Sequence, residues 1–365
     1  MNGLVTSHSQ KGTASLMGFE HRVSVEDDDL HEVREDVELW SESALIVCHD
    51  PATGLSVYGH LVLLETQVWE AIFSVYLPNG EILTDRSYSR HDPAARRTGQ
   101  MVIKPIVPLE SWQFGFDGMA RRVLMSDLAR GPLGGGPVTR LEVDLRCEGT
   151  SPTWGRGMRT EPRAMSHDDK NPAVSGSGLH LEQSVRVTGT VRFDKHTIEL
   201  NAVGHRDHSC GPRARSNQWR VAWANGSFPS GRTFHGLNVW VVGRPTYARG
   251  YVWDGTAMED MEDFVGPALC GPLGEPRDFG ASFSTASGKH ALAGQLLGSM
   301  PTTGYMPQGA TVGAEPIGHV AVDGPAQWVW DGEVGYGWAQ RTWIRGGWDE
   351  VRESDRRSVY VNRSA

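Results

Sequence analysis

SVRVTGTVRF (residues 184–193) and HTIELNAVG (196–204) follow one another with only Asp194 and Lys195 between them. Both are short, rich in β-branched residues and alternate in period two, the pattern of strands with one buried face. The same reading extends outward to SALIVCH (43–49), SVYGHLVLL (56–64), VWEAIFSVYL (68–77), RLEVDLRCEG (140–149), RTFHGLNVWVV (232–242), ARGYVWDG (248–255) and GWAQRTWI (337–344). Turns read clearly at PNG (78–80) and WDG (253–255). The 44 glycines and 20 prolines punctuate the chain throughout, and capped amphipathic runs of helical length are hard to find. The sequence predicts an all-β protein.

Its organisation reads as two halves. The stretch from Glu148 to Gly178 is rich in Pro, Gly, Ser and charge without an apolar period, as a linker or lid would be. Residues 1–30 form a polar, acidic lead-in expected to be flexible and partly disordered. Residues 54–80 and 231–255 echo each other as strand, turn, strand, each closing on an aromatic strand and an X-Gly turn. The expected division is a lead-in over 1–30, a β domain over 31–178 ending in the linker, and a second β domain over 179–365.

Bulk composition narrows the partners. The chain has 365 residues, 39% hydrophobic and 22% charged, with a formal net charge of −9, enough for one large or two medium domains. Without a Lys/Arg block, that balance argues against nucleic acid and against an anionic membrane surface, leaving a small molecule as the expected partner. No run of about 18 apolar residues predicts a membrane span, and no signal peptide is indicated. The four cysteines lie far apart with no CxxC pair and are read as reduced, which suits the cytoplasm. A monomer or homodimer is expected.

Chemistry concentrates in GHRDHSCG (204–211). Strand parity puts His205, Asp207 and Ser209 on one face and Arg206, His208 and Cys210 on the other, so convergence of all the charges requires the strand to end or bulge here. As a metal centre, the stretch offers His205, Asp207, His208 and Cys210, with His235 joining from a neighbouring strand. As an acid–base centre, it offers Asp207 flanked by Arg206 and His208, whose opposing effects on a carboxyl pKa set its role. As a structural corner, it is a buried Arg–Asp pair closing a strand end. The aromatic residues that follow, Trp219, Trp223, Phe234, Trp240, Tyr247, Tyr251 and Trp253, suit a cavity for an apolar ligand or the packing of a β core. Glu182, opening LEQSVRVTGTVRF, can point a carboxylate into the same space.

EQSVRVTGTVRF, the span GHRDHSCGPR and then Trp219 together resemble a pattern in one branch of the carotenoid 1,2-hydratase and AttH-like superfamily. In that actinobacterial and proteobacterial branch, E-Q opens a Gly-containing strand, followed by G-x-R-D-H-S-W-G-x-R and a tryptophan. Trp40, HDPATG (49–54), Gly59 and YLPNGEI (76–82) are similar to its first domain, so the likeness covers most of residues 32–345. The resemblance implies two lipocalin-like β-barrel domains packed together. Its members of known activity include hydratases of isoprenoid double bonds, kievitone-type hydratases and pericyclic cyclases, all handling large apolar substrates without a redox cofactor. Asp207 and His208 fall on the family's charged positions, and Arg206 and Arg213 on its arginines. Cys210 departs from it, standing where tryptophan is usual, and Ala339-Gln340 stand where a glutamate is expected after Gly-Tyr-Gly.

The leading expectation is therefore a cofactor-independent lyase or isomerase of an apolar terpenoid, steroid or polyketide-like molecule. Asp207 or His208 serves as the acid, with Arg206 and Glu182 completing the catalytic set. His205, Cys210, Trp219, His235, Trp240, Tyr251 and Trp253 form the substrate-binding set. A non-catalytic lipid or isoprenoid carrier, and a metal-dependent hydrolase or oxygenase centred on His205, Asp207 and His208, are the alternatives.

Overall fold

The hairpin that the sequence marks most clearly is the seam of a barrel. The computed structural model describes residues 23–33, 40–63, 68–90, 97–124, 136–156, 178–212, 219–241, 247–267, 276–302 and 319–344. The first sheet holds β1 (Trp40–His49), β2 (Ser56–Leu63), β3 (Val68–Tyr76), β4 (Glu81–Arg90), β5 (Met101–Val107), β6 (Ser111–Leu124), β7 (Val138–Gly149), β8 (Trp154–Arg156), β9 (Leu179–Phe193) and β10 (His196–Pro212). The order β10-β1-β2-β3-β4-β6-β7-β9 closes on itself because β10 also pairs with β9. The β9–β10 turn is a two-residue connection in which Asp194 takes a left-handed φ of 52°.

The second sheet holds β11 (Trp219–Ser227), β12 (Thr233–Val241), β13 (Tyr247–Trp253), β14 (Met258–Asp260), β15 (Asp263–Val265), β16 (Asp278–Thr285), β17 (Gly288–Leu296), β18 (Met300–Thr302), β19 (His319–Trp330) and β20 (Glu333–Ile344). It runs β14-β13-β12-β11-β20-β19-β17-β16-β15, antiparallel throughout. The all-β expectation thus holds, and the echoed segments are β2–β3 in one sheet and β12–β13 in the other. The boundary between the sheets falls after Pro212 rather than at residue 178, so the GHRDHSCG stretch belongs to the first sheet. Among the described residues no helix is long and apolar enough to cross a membrane.

Alternation along β1 sorts the core into two. Ala44, Ile46 and Cys48 face the barrel interior with Phe73, Trp112, Phe114 and Phe116, while Leu45 and Val47 face outward, packing with Tyr58, Tyr76, Val221, Trp223 and Trp338 between the sheets. Each such side chain, buried fully, contributes about 1.5–3 kcal/mol. The barrel is filled: a Cβ at Gly59 would lie 2.3 Å from the Phe114 ring. Inside the second sheet, Phe228, Phe234, Phe264, Phe283, Trp328 and Trp330 pack together in the same way.

The expected strand end or bulge within 204–211 does not occur. Pairing of β10 with β1 and β9 continues in register through Cys210. Gly204 permits this, since a Cβ there would stand 2.5 Å from the Val47 carbonyl oxygen. The end of the expected lead-in is packed against the barrel. Residues 23–33 carry a single 3-10 turn (Val25–Asp28) against one end of the barrel, and Val23 and Val33 pack on Trp40, Leu179, Leu181 and Cys210. Residues 1–22, and 157–177 of the expected linker, lie outside the described residues.

Asp28 anchors that plug. Its carboxylate accepts from Arg206 Nη1 at 2.7 Å, Trp112 Nε1 at 2.8 Å and the Leu109 amide at 2.7 Å. The Arg206 guanidinium lies 3.9 Å from the centre of the Trp112 ring and donates from Nε to Gln183 Oε1 at 3.0 Å. Burial opposes the charge of Asp28, and Arg206 with the other donors outweighs it, holding the carboxyl far below its ordinary value of 3.8. A depressed carboxyl stabilises the fold above that ordinary value and loses its effect as pH falls through the folded one. Replacing Arg206→Ala leaves a buried anion without its cation and is expected to cost about 3–5 kcal/mol, read from urea unfolding. Asp28→Asn should flatten the acid limb of the stability–pH curve.

Candidate functional site

On β9 and β10, paired residues share a face. Glu182 pairs with Asp207, Ser184 with His205 and His180 with Ser209, all facing the second sheet, whereas Gln183 pairs with Arg206 and Leu181 with His208, facing the barrel interior. Parity therefore places the sequence-predicted residues on two sides. Glu182, His205 and Asp207 are brought together with His235 and Tyr251 of the second sheet. Arg206 and His208 are turned away, Arg206 onto Asp28 and His208 onto Glu42 at 2.8 Å, so they do not join the acid–base set expected for them. Cys210 packs at the plugged end of the barrel rather than beside Glu182. Trp253 ends β13, half-buried and paired with Thr233. The side chains of Trp219 and Trp240, and all of Arg213 and Cys270, lie outside the described residues.

Glu182 is the hub, with none of its surface exposed. Its Oε1 accepts from Trp223 Nε1 at 2.8 Å and His180 Nε2 at 2.9 Å, and its Oε2 from His205 Nε2 at 2.9 Å. His235 Nε2 stands 3.3 Å from Oε1. The His205 and His235 rings stack at 5.1 Å, and Trp223 meets both edge-on at 5.4 and 5.7 Å. Tyr251 fills the inner side, its hydroxyl accepting from the Ser184 amide at 3.1 Å and lying 3.0 Å from Ser184 Oγ. Trp154 closes over His235 and Tyr251 while donating from Nε1 to Asp260 Oδ1 at 2.7 Å, tying β8 to β14.

His180 is the outlet of this cluster. Its Nε2 also lies 3.1 Å from Asp207 Oδ2, and the two side chains keep 29% and 16% of their surface exposed, whereas Glu182, His205 and His235 keep none. Burial disfavours a charged His180, but the hydrogen bonds to Asp207 and Glu182 outweigh it and raise its pKa to about 9. Burial likewise opposes the charge on Glu182, and the surrounding histidines hold its carboxyl well below the usual range. His235 is pushed down to about 3 by burial despite Glu182, so it stays neutral. At neutral pH His180 is an imidazolium beside the Glu182 carboxylate, backed by the neutral imidazole of His235.

His180 and Trp223 complete this centre without having been assigned to it from sequence. HLE (180–182) carried the signal, since His and Glu two apart on a strand share a face. Among the described residues, three sets of side chains place ligand atoms within 4.8 Å of one another: Glu182, His205 and His235; His180, Glu182 and Asp207; and His31, Glu42 and His208. None of these is the His205–Asp207–His208 set of the metal expectation. The indole of Trp223 can only donate, which fixes Oε1 of Glu182 as an acceptor.

The fold and the site define an all-β protein of the lipocalin-like kind, two curled antiparallel sheets meeting over a buried carboxylate–imidazole cluster. The chain belongs to the family described as a domain of unknown function, DUF7064, which matches residues 24–345. It is similar in fold to an AttH from Nitrosomonas europaea, with a TM-score of 0.58 and 12% identity over 86% of this chain and 95% of that one. It is also similar to kievitone hydratase from Nectria haematococca, with a TM-score of 0.51 and 12% identity over 86% of this chain and 92% of that one. No curated protein matches the chain in sequence.

A raised histidine pKa stabilises the fold below the ordinary value of 6.5 and loses that effect as pH rises through about 9. Melting temperature should therefore fall between these two values in the wild type, and His180→Gln should lose that part of the pH dependence.

Proposed function

We propose that the protein is a lyase or isomerase that moves protons on an apolar, uncharged substrate with its own side chains, adding or removing water at a C=C bond or shifting the bond. The observation that carries this reading is the His180 imidazolium held between Glu182 and Asp207 at the edge of a fully buried cluster. Its Nε2–H is shared by the two carboxylates, and its Nδ1–H is the proton it can give. An alkene against that edge takes the proton on one carbon, its π pair forming the new C–H bond. The cation left on the other carbon is stabilised by the nearby carboxylates. Water then adds its lone pair to that carbon and gives up a proton to an imidazole of the cluster, or a neighbouring C–H bond breaks, its pair forming the new C=C bond and its proton returning to the neutral His180, to give the isomer. Dehydration is the reverse.

The substrate class follows from what continues the site. From Asp207 the outer face of the barrel runs across the strands through Leu45, His60 and Ile72, an apolar row with one polar member. Terpenoid, steroid and polyketide-like skeletons suit such a row. Both barrel-like cores are filled by their own side chains, which weighs against carriage inside a barrel. The fold shared with kievitone hydratase is compatible with this reading.

The test is turnover of a panel of terpenes, steroids and polyphenols, read by mass spectrometry for gain or loss of one water or for an isomer. His180→Gln and Asp207→Asn should each lower turnover about 10²–10⁴-fold with the fold retained. Activity should also decline as pH rises through about 9, where His180 loses its proton. Tight binding of unaltered ligand by all three proteins would identify a carrier instead, and activity restored by added metal after chelation would identify a metal-dependent enzyme.

A further inference from the structure

Cross-strand pairing sets two rows of side chains face to face where the sheets meet. Ser184, His205, Val47 and Tyr58 form the row on the first sheet, and Tyr251, His235, Asn225 and Trp338 the row on the second. Three of the rungs are chemically matched. The Tyr251 and Ser184 hydroxyls lie 3.0 Å apart, the His235 and His205 rings stack at 5.1 Å, and Trp338 stacks on Tyr58 at 6.0 Å. By its place in the rows, the remaining rung sets the amide of Asn225 level with Val47, an aliphatic side chain that offers it nothing.

The residues of this rung and of the rungs on either side of it carry buried polar atoms with no hydrogen-bond partner among the described residues: Asn225 Nδ2, Trp338 Nε1, His205 Nδ1 and both ring nitrogens of His235. Asn225 is 2% exposed and the other three residues are not exposed at all. Buried polar groups in a folded protein find partners, and a concentration of unsatisfied ones in a single place marks a bound group. Asn225 and Trp338 present N–H donors. His205 presents Nδ1 as an acceptor when its Nε2 carries the proton toward Glu182, and His235, whose two ring nitrogens are both unpartnered, does so in the same tautomer. Two donors and two acceptors are the complement of one water molecule.

We infer that the Asn225 rung binds a water molecule between the sheets, held by the Asn225 and Trp338 N–H groups and donating to the Nδ1 atoms of His205 and His235, and that this is the water consumed or released by the reaction. The second half rests on the proposed function; the first does not. In the hydration direction the lone pair of this water forms the C–O bond, and its proton passes to Nδ1 of His205, whose Nε2 leans on Glu182. His180 has given one proton and an imidazole has gained one, so the addition balances.

High-resolution crystal structures of the wild type, Asn225→Leu and Trp338→Phe test the site. The wild type should show one ordered water within hydrogen-bonding distance of Asn225 Nδ2 and of at least one Nδ1 atom, and Asn225→Leu should lack it. A rung closed by repacked side chains, or anomalous density from an ion at these nitrogens, overturns the proposal. With a substrate that both hydrates and isomerises, the ratio of hydrated to isomerised product should fall about tenfold in Asn225→Leu, and in the same direction in the more conservative Trp338→Phe. An unchanged ratio overturns the role of this water in the reaction. An ordered water in a protein that turns over no alkene would support the site and refute the proposed function.

Discussion

A carboxylate with no exposed surface keeps its charge only if N–H donors surround it, and the arrangement about Glu182 follows from that requirement. Glu182 sits on the seam of the first barrel, but its donor Trp223 comes from the second sheet, as does His235, which stands beside it. The two sheets are thus fastened together by the needs of one anion. The same anion orients His205, holds the proton on His180 and leaves His235 neutral under burial. Removing its donors would affect packing and chemistry together.

The opposite face of the same ladder carries a second buried charge cluster with a different purpose. Asp28, Arg206 and Trp112 close the barrel end, with Gln183 linking Arg206 to the loop carbonyls of Leu109 and Ser151. Arg206 and Asp207 are neighbours in sequence yet serve these two clusters separately, because consecutive side chains on a strand point to opposite sides. The density of charge in GHRDHSCG is thus two half-sites interleaved in one strand, one structural and one facing the seam where the proposed chemistry lies.

Much of the fold was legible. Alternating apolar residues marked β1, β2, β3, β7, β9, β10, β12, β13 and β20, and glycine-containing turns marked several connections. The strands that escaped notice have reasons. EILTDRSYSR and SWQFGFDGMARRVL dilute their alternation with charge and glycine on faces that are partly exposed. HVAVDGPAQWVW contains a Gly-Pro pair that reads as a turn, yet β19 runs through it and Pro325 pairs with Trp338. The plug at residues 23–33 was hidden for a different reason: an acidic stretch looks solvated until an arginine far along the chain is found against it.

By itself the sequence determined which side chains share a face, because the period of a strand is local and survives any packing. It therefore separated His205 and Asp207 from Arg206 and His208, and it put His180 and Glu182 together in HLE. What each face meets was decided only by the tertiary structure. Glu182, Trp223 and His235 lie on strands of two different sheets, and pairings between such distant segments come from chain closure and burial that no local pattern encodes. The same long-range closure decided that Asp28 holds Arg206, and that the amide of Asn225 lies among imidazole and indole nitrogens rather than in water.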